Sequence, residues 1–309
     1  MKSKVLIFLF IIHSLIFVNV FSQDDNYSSF DISFDYFTNT STFGQFNQLV
    51  KQPSYSPGIS YFSEKGFNIS FISTFIENSD TSLQNMSVEY NLMIGYSYYL
   101  GKKITISPNY TRFFYSNNSN SLKSAFTDDF SLDISLNIKS FTSSVTGDYV
   151  LGNKNEFFLS LQNYYSIDIE NVIIIKTILS IQPEVDINFG NQTYYNNYYW
   201  DSYNTNEEFR KYVLNQQGIK RKIYLLHKQY PNLTLDEIMH IISLSYITSE
   251  DEYNLSSIGI ILPLYYMIGS FSFNVGISLF SLINKPEYIE DDYQVFFNAG
   301  ISYSFFLNK

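Results

Sequence analysis

The side chains best suited to metal or acid–base chemistry lie close together in the 309-residue chain: Glu237 and His240 in an E-x-x-H spacing, Asp236 beside them, and His227 shortly before. On a helix Glu237 and His240 share a face, as paired ligands must. A metal site needs at least three ligands, and only His227 offers itself as another. His227, Glu237 and His240 are thus the candidate ligands, yet surface histidines are the preferred reading, and neither metal nor cofactor is expected. The third histidine, His13, sits in an apolar N-terminal stretch. A serine nucleophile needs an adjacent base, and no histidine falls between His13 and His227. There is no Cys, so thiolate chemistry and disulfides are impossible. No Gly-rich phosphate loop and no H-E-x-x-H occurs. An enzyme is not expected.

Charge narrows the partners. The net charge is −10, which argues against nucleic acid, whose phosphates demand a basic surface. The exception is local: Arg210, Lys211, Lys220, Arg221, Lys222 and Lys228 fall within residues 204–247. That segment reads as helical. Thr205 with Glu208 and Thr234 with Glu237 match capping boxes. Phe209, Val213 and Leu214, then Ile223, Leu226 and Tyr230, then Leu235, Ile238, Ile241, Ile242 and Tyr246 follow helical spacing. The basic side chains form a candidate face for phosphates or an acidic partner; a solvated helix face is the preferred reading.

The elements around this insert alternate with period two. Val88, Tyr90, Leu92, Ile94, Tyr96 and Tyr98 face one way, and Glu89, Asn91, Gly95 and Ser97 the other. The same pattern recurs through 104–114, 130–136, 157–166 and 295–305. These strands exceed the usual soluble length of about 5–6 residues and meet the roughly 9–11 that span a bilayer. Twelve are predicted: 28–38, 55–63, 67–77, 86–99, 103–115, 128–138, 140–150, 156–169, 172–190, 253–267, 270–281 and 293–306. Ten is the alternative count. Links at 64–66, 100–102, Lys139, 170–171 and 268–269 are short; those at 39–54, 78–85, 116–127, 191–252 and 282–292 are long, and 151–155 is the one short link on that side. Short turns at one end and long loops at the other describe a closed antiparallel transmembrane β-barrel with a small helical insert in one long extracellular loop. Pro108, Pro183 and Pro263 inside strands predict bulges. Neighbouring aromatics at Tyr96, Tyr98 and Tyr99, at Phe113, Phe114 and Tyr115, at Tyr164 and Tyr165, and at Tyr265 and Tyr266 predict interfacial girdles. By phase, Asp31, Asp35, Glu89, Asp133, Asp148, Asp168, Glu184 and Asp186 point into the lumen, against Lys176. Asp128 and Asp129, 250–252 and 290–292 read as loop acids with a weak claim on Ca²⁺.

Residues 1–22 have the parts of a signal peptide: basic Lys2 and Lys4, an apolar run from Val5 to Val20, and small residues before a cut after Ser22. The mature chain, 23–309, is then one barrel. F-S-Q at the signal's end, P-E-V-D-I-N-F-G at 183–190, L-P-L-Y-Y-M-I-G-S-F-S-F at 262–273 and F-F-N-A-G-I-S-Y-S-F at 296–305 resemble Gram-negative outer-membrane β-barrel proteins of the porin-like, uncharacterised kind. The resemblance covers the mature chain apart from about 195–250. It implies an outer-membrane location, contact with lipid and lipopolysaccharide, and a closing strand read by the barrel-assembly machinery. Such a strand ends on an aromatic residue; here Phe306 is followed by Leu307, Asn308 and Lys309. The expected function is passage of small solutes with weak cation preference. The alternatives are a structural or binding barrel whose insert engages a partner or lipopolysaccharide, and a secreted soluble β-protein.

Overall fold

Strands that alternate over ten or more residues leave two hydrogen-bonding edges to satisfy, and in lipid only ring closure satisfies both. The computed structural model shows that closure. It describes residues 28–38, 41–42, 45–46, 53–77, 87–116, 126–152, 155–172, 177–191, 203–204, 207–215, 217–247, 253–283 and 293–307. The signal segment, Lys176, Thr205 of the first predicted capping box, and the acids of 250–252 and 290–292 lie outside the described residues.

The wall begins with β1 (Ser28–Phe37). After a minimal hairpin, β2 (Ser41–Thr42) and β3 (Gln45–Phe46), it continues through β4 (Ser54–Phe62) and β5 (Phe67–Ile76). Next come β6 (Ser87–Tyr96) with β7 (Tyr98–Leu100), β8 (Ile104–Tyr115), β9 (Phe126–Ile138) and β10 (Phe141–Gly152). Then follow β11 (Glu156–Tyr165) with β12 (Ile167–Glu170), and β13 (Thr177–Ile181) with β14 (Glu184–Asn191). β15 (Tyr253–Ile268), β16 (Phe271–Leu282) and β17 (Tyr293–Leu307) complete it. Each wall strand pairs antiparallel with the next, and β1 pairs β17 from Ser28↔Leu307 to Phe37↔Asn298. Counting β6/β7, β11/β12 and β13/β14 as single wall strands, the closed barrel has the twelve strands predicted.

The five short turns carry the five residues of positive φ among those described: Gly66, Gly101, Lys139, Asn171 and Gly269. At Lys139–Ser140 and Gly269–Ser270 two residues join strands whose flanking pairs are Ile138↔Phe141 and Ile268↔Phe271. A two-residue hairpin wants positive φ at its first position, where glycine is at home. Lys139 adopts φ 55° without that freedom, at a cost of roughly 1–2 kcal/mol. Lys139→Gly should therefore stabilise the folded barrel by about 0.5–1 kcal/mol, after the larger unfolded-state entropy of glycine is deducted. Urea unfolding in micelles measures the shift; an unchanged or lowered midpoint would contradict it.

The prolines do not produce bulges. Gln182 and Pro183 separate β13 from β14, yet Ile181↔Leu264 and Glu184↔Ile261 keep one register. Pro263 lies opposite, and its carbonyl accepts the Gln182 N–H at 3.1 Å. Likewise Pro108 faces the break between β6 and β7, with Gly95↔Asn109 and Tyr98↔Ile106 in one register. A missing N–H opens the ladder locally without adding a residue. The true register shifts lie elsewhere. Leu151↔Asp128 is followed by Gly152↔Phe126, leaving Thr127 extra. Asn188↔Ser257 is followed by Phe189↔Leu255, leaving Ser256 extra.

Alternation sorts the side chains. Ile32, Phe34, Phe71, Ile134, Val145, Val275, Phe297 and Ile301 are among the many large apolar residues exposed on the outside, each 39–52 %. Each is about 1.5–3 kcal/mol better off out of water, so a belt of them demands lipid. The aromatic clusters divide by the same rule. Phe114 and Tyr165 face out at 47 % and 51 %, while Phe113 is buried at 7 %. Two consecutive strand residues cannot both join a girdle.

Candidate functional site

The lumen is where polar chemistry collects. Asp31, Asp35, Glu89, Asp133, Asp148, Glu184 and Asp186 all occupy the strand phase opposite the exposed apolar residues. Asp168 keeps that phase but stands exposed on β12, which pairs only β13 among the described strands; its carboxylate accepts the Ser166 hydroxyl at 3.0 Å. It belongs to an extension at the short-turn end rather than to the packed wall.

Two inward acids escaped the sequence reading. Asp129 and Glu156 are 7 % and 5 % exposed and flank Val150 in register. Both continue the alternation of the predicted strands 128–138 and 156–169; Asp129 had been read as a loop acid, and Glu156, at its strand's first position, had been given no direction. Asp128, also read as a loop acid, lies in β9 and faces outward. Arg112 Nη1 donates to both of its oxygens at 2.7 and 2.6 Å, and the Tyr110 hydroxyl donates at 2.7 Å. The guanidinium also lies 5.8 Å from the Phe114 ring centroid. Pairing is what an outward charge requires, because a lone cation at the bilayer midplane costs about 2–4 kcal/mol. Arg112 is the only Lys or Arg in the described wall strands. Nine acids thus face inward against no inward base among those strands.

Hydrogen bonds tie several of these groups into lateral rows. Ser97 and Ser107 hydroxyls meet at 3.1 Å, and Ser107 pairs Asp133, whose Oδ2 accepts the Thr146 hydroxyl at 2.9 Å. The row continues where the Ser160 hydroxyl donates to Asn188 at 2.7 Å and Asn188 Nδ2 donates to Ser257 at 3.2 Å. A second row holds Asp35, whose Oδ1 accepts from Asn274 Nδ2 at 3.3 Å across β17. Gly300 lies between them; a Cβ there would stand 2.0 Å from Asp35 Oδ1, so only glycine leaves the contact open.

Tyr265 on β15 stands in the same row: it pairs in register with Asn274 on β16, Asn274 with Gly300 on β17, and Gly300 with Asp35 on β1. Asp186 is hydrogen-bonded to Glu184 and to Gln162. Asp35, Glu184 and Asp186 line the lumen wall, and the Glu184–Asp186 hydrogen bond needs a shared proton, which leaves that pair with at most one charge.

The outer mouth carries the helical insert: α1 (Glu207–Asn215), α2 (Gln217–Gln229) and α3 (Leu235–Ile247). Val213, Ile219, Ile238, Met239, Ile242 and Tyr203 form one buried cluster with the inward wall residues Phe113, Phe126, Val150 and Phe158. The insert is therefore moored inside the mouth on β8–β11. Ile219, Met239 and Tyr203 joined this core unforeseen, whereas Tyr230, Leu235 and Ile241 are exposed. Helical spacing had located the helices but not the depth of each side chain.

The capping box at α3 is present. The Thr234 N–H and hydroxyl each donate to Glu237 Oε2 at 2.8 Å, and Glu237 N–H returns a bond to Thr234 Oγ1 at 3.3 Å. The Thr234 N–H, aided by the hydroxyl, holds the Glu237 carboxyl below its usual range. Arg210 pairs with Asp236, joining α1 to α3, and lies 5.2 Å from the Tyr203 ring centroid. The carboxylates of the E-x-x-H region thus serve helix structure. His227 and His240 are exposed, and among the described residues no three His, Asp or Glu side chains gather as a metal site. The six basic residues do not share one face. Arg210 is paired, and Lys222 is half-buried on the mooring side; Lys220, Arg221 and Lys228 are exposed together on α2, and Lys211 is exposed on α1.

No family model matches the chain, and no curated protein matches it. Among solved structures it is similar to the KdgM porin at 10 % identity and a TM-score of 0.47, over 89 % of this chain and 99 % of that one. It is similar to the COG4313 outer membrane channel from Pseudomonas putida F1 at 8 % identity and a TM-score of 0.46, over 93 % and 98 %. LpxR from Salmonella typhimurium matches at 8 % identity and a TM-score of 0.45, over 89 % and 99 %. At such values the likeness is one of barrel architecture.

Proposed function

We propose that this chain is an outer-membrane barrel that passes small cationic or neutral solutes. The observation that carries the reading is the lumen charge: nine inward acids against no inward base in the described wall strands. Low-dielectric walls focus such a charge and concentrate counter-ions. Residues 1–22 act as the signal peptide, cut after Ser22, and 23–309 form the barrel. Lipid and lipopolysaccharide surround it, and the assembly machinery inserts it. Catalysis is not assigned; both histidines beyond His13 sit exposed on the insert. A second reading, a binding barrel, is favoured by the mooring of the insert at the mouth; the two combine if the insert caps a channel.

The test is reconstitution of purified protein in planar bilayers. Discrete conductance steps with a cation-directed reversal potential are expected under a KCl gradient. Heat-modifiable migration on gels and outer-membrane fractionation check the location. A correctly folded barrel that stays silent even after removal of 207–247 would end the channel reading, and a purely soluble product would end the outer-membrane reading.

A further inference from the structure

The lumen wall holds a pair of acids whose surroundings supply no counter-charge. Glu184 and Asp186 stand two apart on β14, so their side chains leave the same face. Asp186 is only 7 % exposed, and it is hydrogen-bonded to Glu184 and to Gln162. Its Oδ1 is buried with no hydrogen-bond partner. The flanking positions add nothing cationic. Asp186 pairs in register with Gln162 on β11 and Gly259 on β15, and Glu184 pairs with Tyr164 and Ile261. The Phe280 ring lies over Gly259, where an added Cβ would collide with it, so that side is apolar. Next along the same face, Asn188 is engaged with Ser160 and Ser257. Buried carboxylates persist where they are paired with a cation or hold a metal, and no Lys or Arg of the described wall strands faces inward.

We propose that Glu184 and Asp186 together bind a divalent cation of the calcium class in the lumen wall; the inference rests on the barrel of the reading above and not on its conduction. Two carboxylates offer both their oxygens each, and lumen water completes the shell of about 6–8 oxygens that Ca²⁺ accepts in loose geometry. Mg²⁺ sheds water reluctantly and demands a stricter octahedron, which a buried carboxylate beside an aromatic ring does not favour. The exchange balances: the ion enters, the proton shared by the two carboxyls leaves to water, and a net negative pair becomes neutral. Oδ1 of Asp186 gains the partner that the protein does not provide. Gln162, whose Oε1 accepts the Ser144 hydroxyl at 3.4 Å, keeps Asp186 in place.

The full-length barrel, folded in detergent, is titrated with Tb³⁺ and excited through tyrosine, since Tyr164 lies directly across from Glu184. Saturable luminescence is expected, displaced by Ca²⁺ at lower concentration than by Mg²⁺. Glu184→Gln and Asp186→Asn should each weaken it by roughly 10–100-fold, the range that even an outer partner of a metal ligand commands. Asp133→Asn is the control: it lies on β9, three strands from β14 in the wall and hence about 14 Å away, and should bind as the wild type does. Ca²⁺ should also raise the temperature at which the wild type loses its heat-modifiable migration, and not that of E184Q/D186N. Luminescence unchanged in E184Q/D186N would place the metal on other acids and overturn the proposal, as would no luminescence at all or displacement by Mg²⁺ before Ca²⁺. If the double variant does not fold, the single variants and the Ca²⁺ shift of the wild type decide. Migration of the same samples separates the two readings: a folded barrel without the signal rejects the ion site alone, and an unfolded or soluble product rejects the barrel reading.

Discussion

Replacing Asp35, Glu184 and Asp186 together by Asn, Gln and Asn should collapse the cation preference of the channel while leaving the barrel folded. Glu184 and Asp186 share a hydrogen bond and hence a proton, so with Asp35 the group carries at most two charges on the lumen wall. A unit charge within about 4 Å of a passing ion contributes roughly 1 kcal/mol even at the dielectric of water, about fivefold in occupancy. Losing up to two such charges should lower the cation-to-anion permeability ratio by about that factor, with the reversal potential in a KCl gradient moving towards zero. The amides keep the size of the side chains and most of their hydrogen bonds, including that from Asn274 to position 35. The wild-type preference should itself fade near 1 M salt, where screening acts within about 3 Å. Unaltered selectivity in the triple variant would place the selective region elsewhere.

The barrel was legible because lipid imposes period two so strictly. Each of the five short turns at one end holds a positive-φ residue, and the division at Lys139, where the alternation changes phase, is a real hairpin. The sequence was weaker wherever a residue's direction depended on more than phase. Pro183 and Pro263 read as bulges, but facing prolines open a ladder with no shift of register. Asp128 read as a loop acid because its partner, Arg112, is a strand neighbour 16 residues away in sequence. The six cations of the insert read as one face because their spacing hides the pairing of Arg210 with Asp236 between helices. The mooring was least visible. Phe113, Phe126, Val150 and Phe158 are apolar residues in lumen-facing positions, and an apolar residue on a polar face is the signal that could have announced a plug.

That mooring carries the other large effect. A moored insert covers the part of the mouth over β8–β11, so releasing it should raise conductance. Ile219 and Val150 are fully buried, one on the insert and one on the wall, within a single cluster. Truncating a buried aliphatic side chain costs about 2–5 kcal/mol, and placing a carboxylate there costs more, because an unpaired charge loses its water. Ile219→Asp or Val150→Asp should therefore shift the docked state by a hundredfold or more, since about 3 kcal/mol is two factors of ten. The wall should survive, because its ladders close the ring without the insert, and heat-modifiable migration should persist. Ile219→Val, costing about 0.5–1.5 kcal/mol, should leave the insert docked and the conductance near wild type. The charged variants should match deletion of 207–247 in step size and open probability, because all three remove the same obstruction. If they instead conduct as the wild type does, the insert is seated beside the pathway rather than across it, and the apolar cluster serves only to hold α2 at the cell surface.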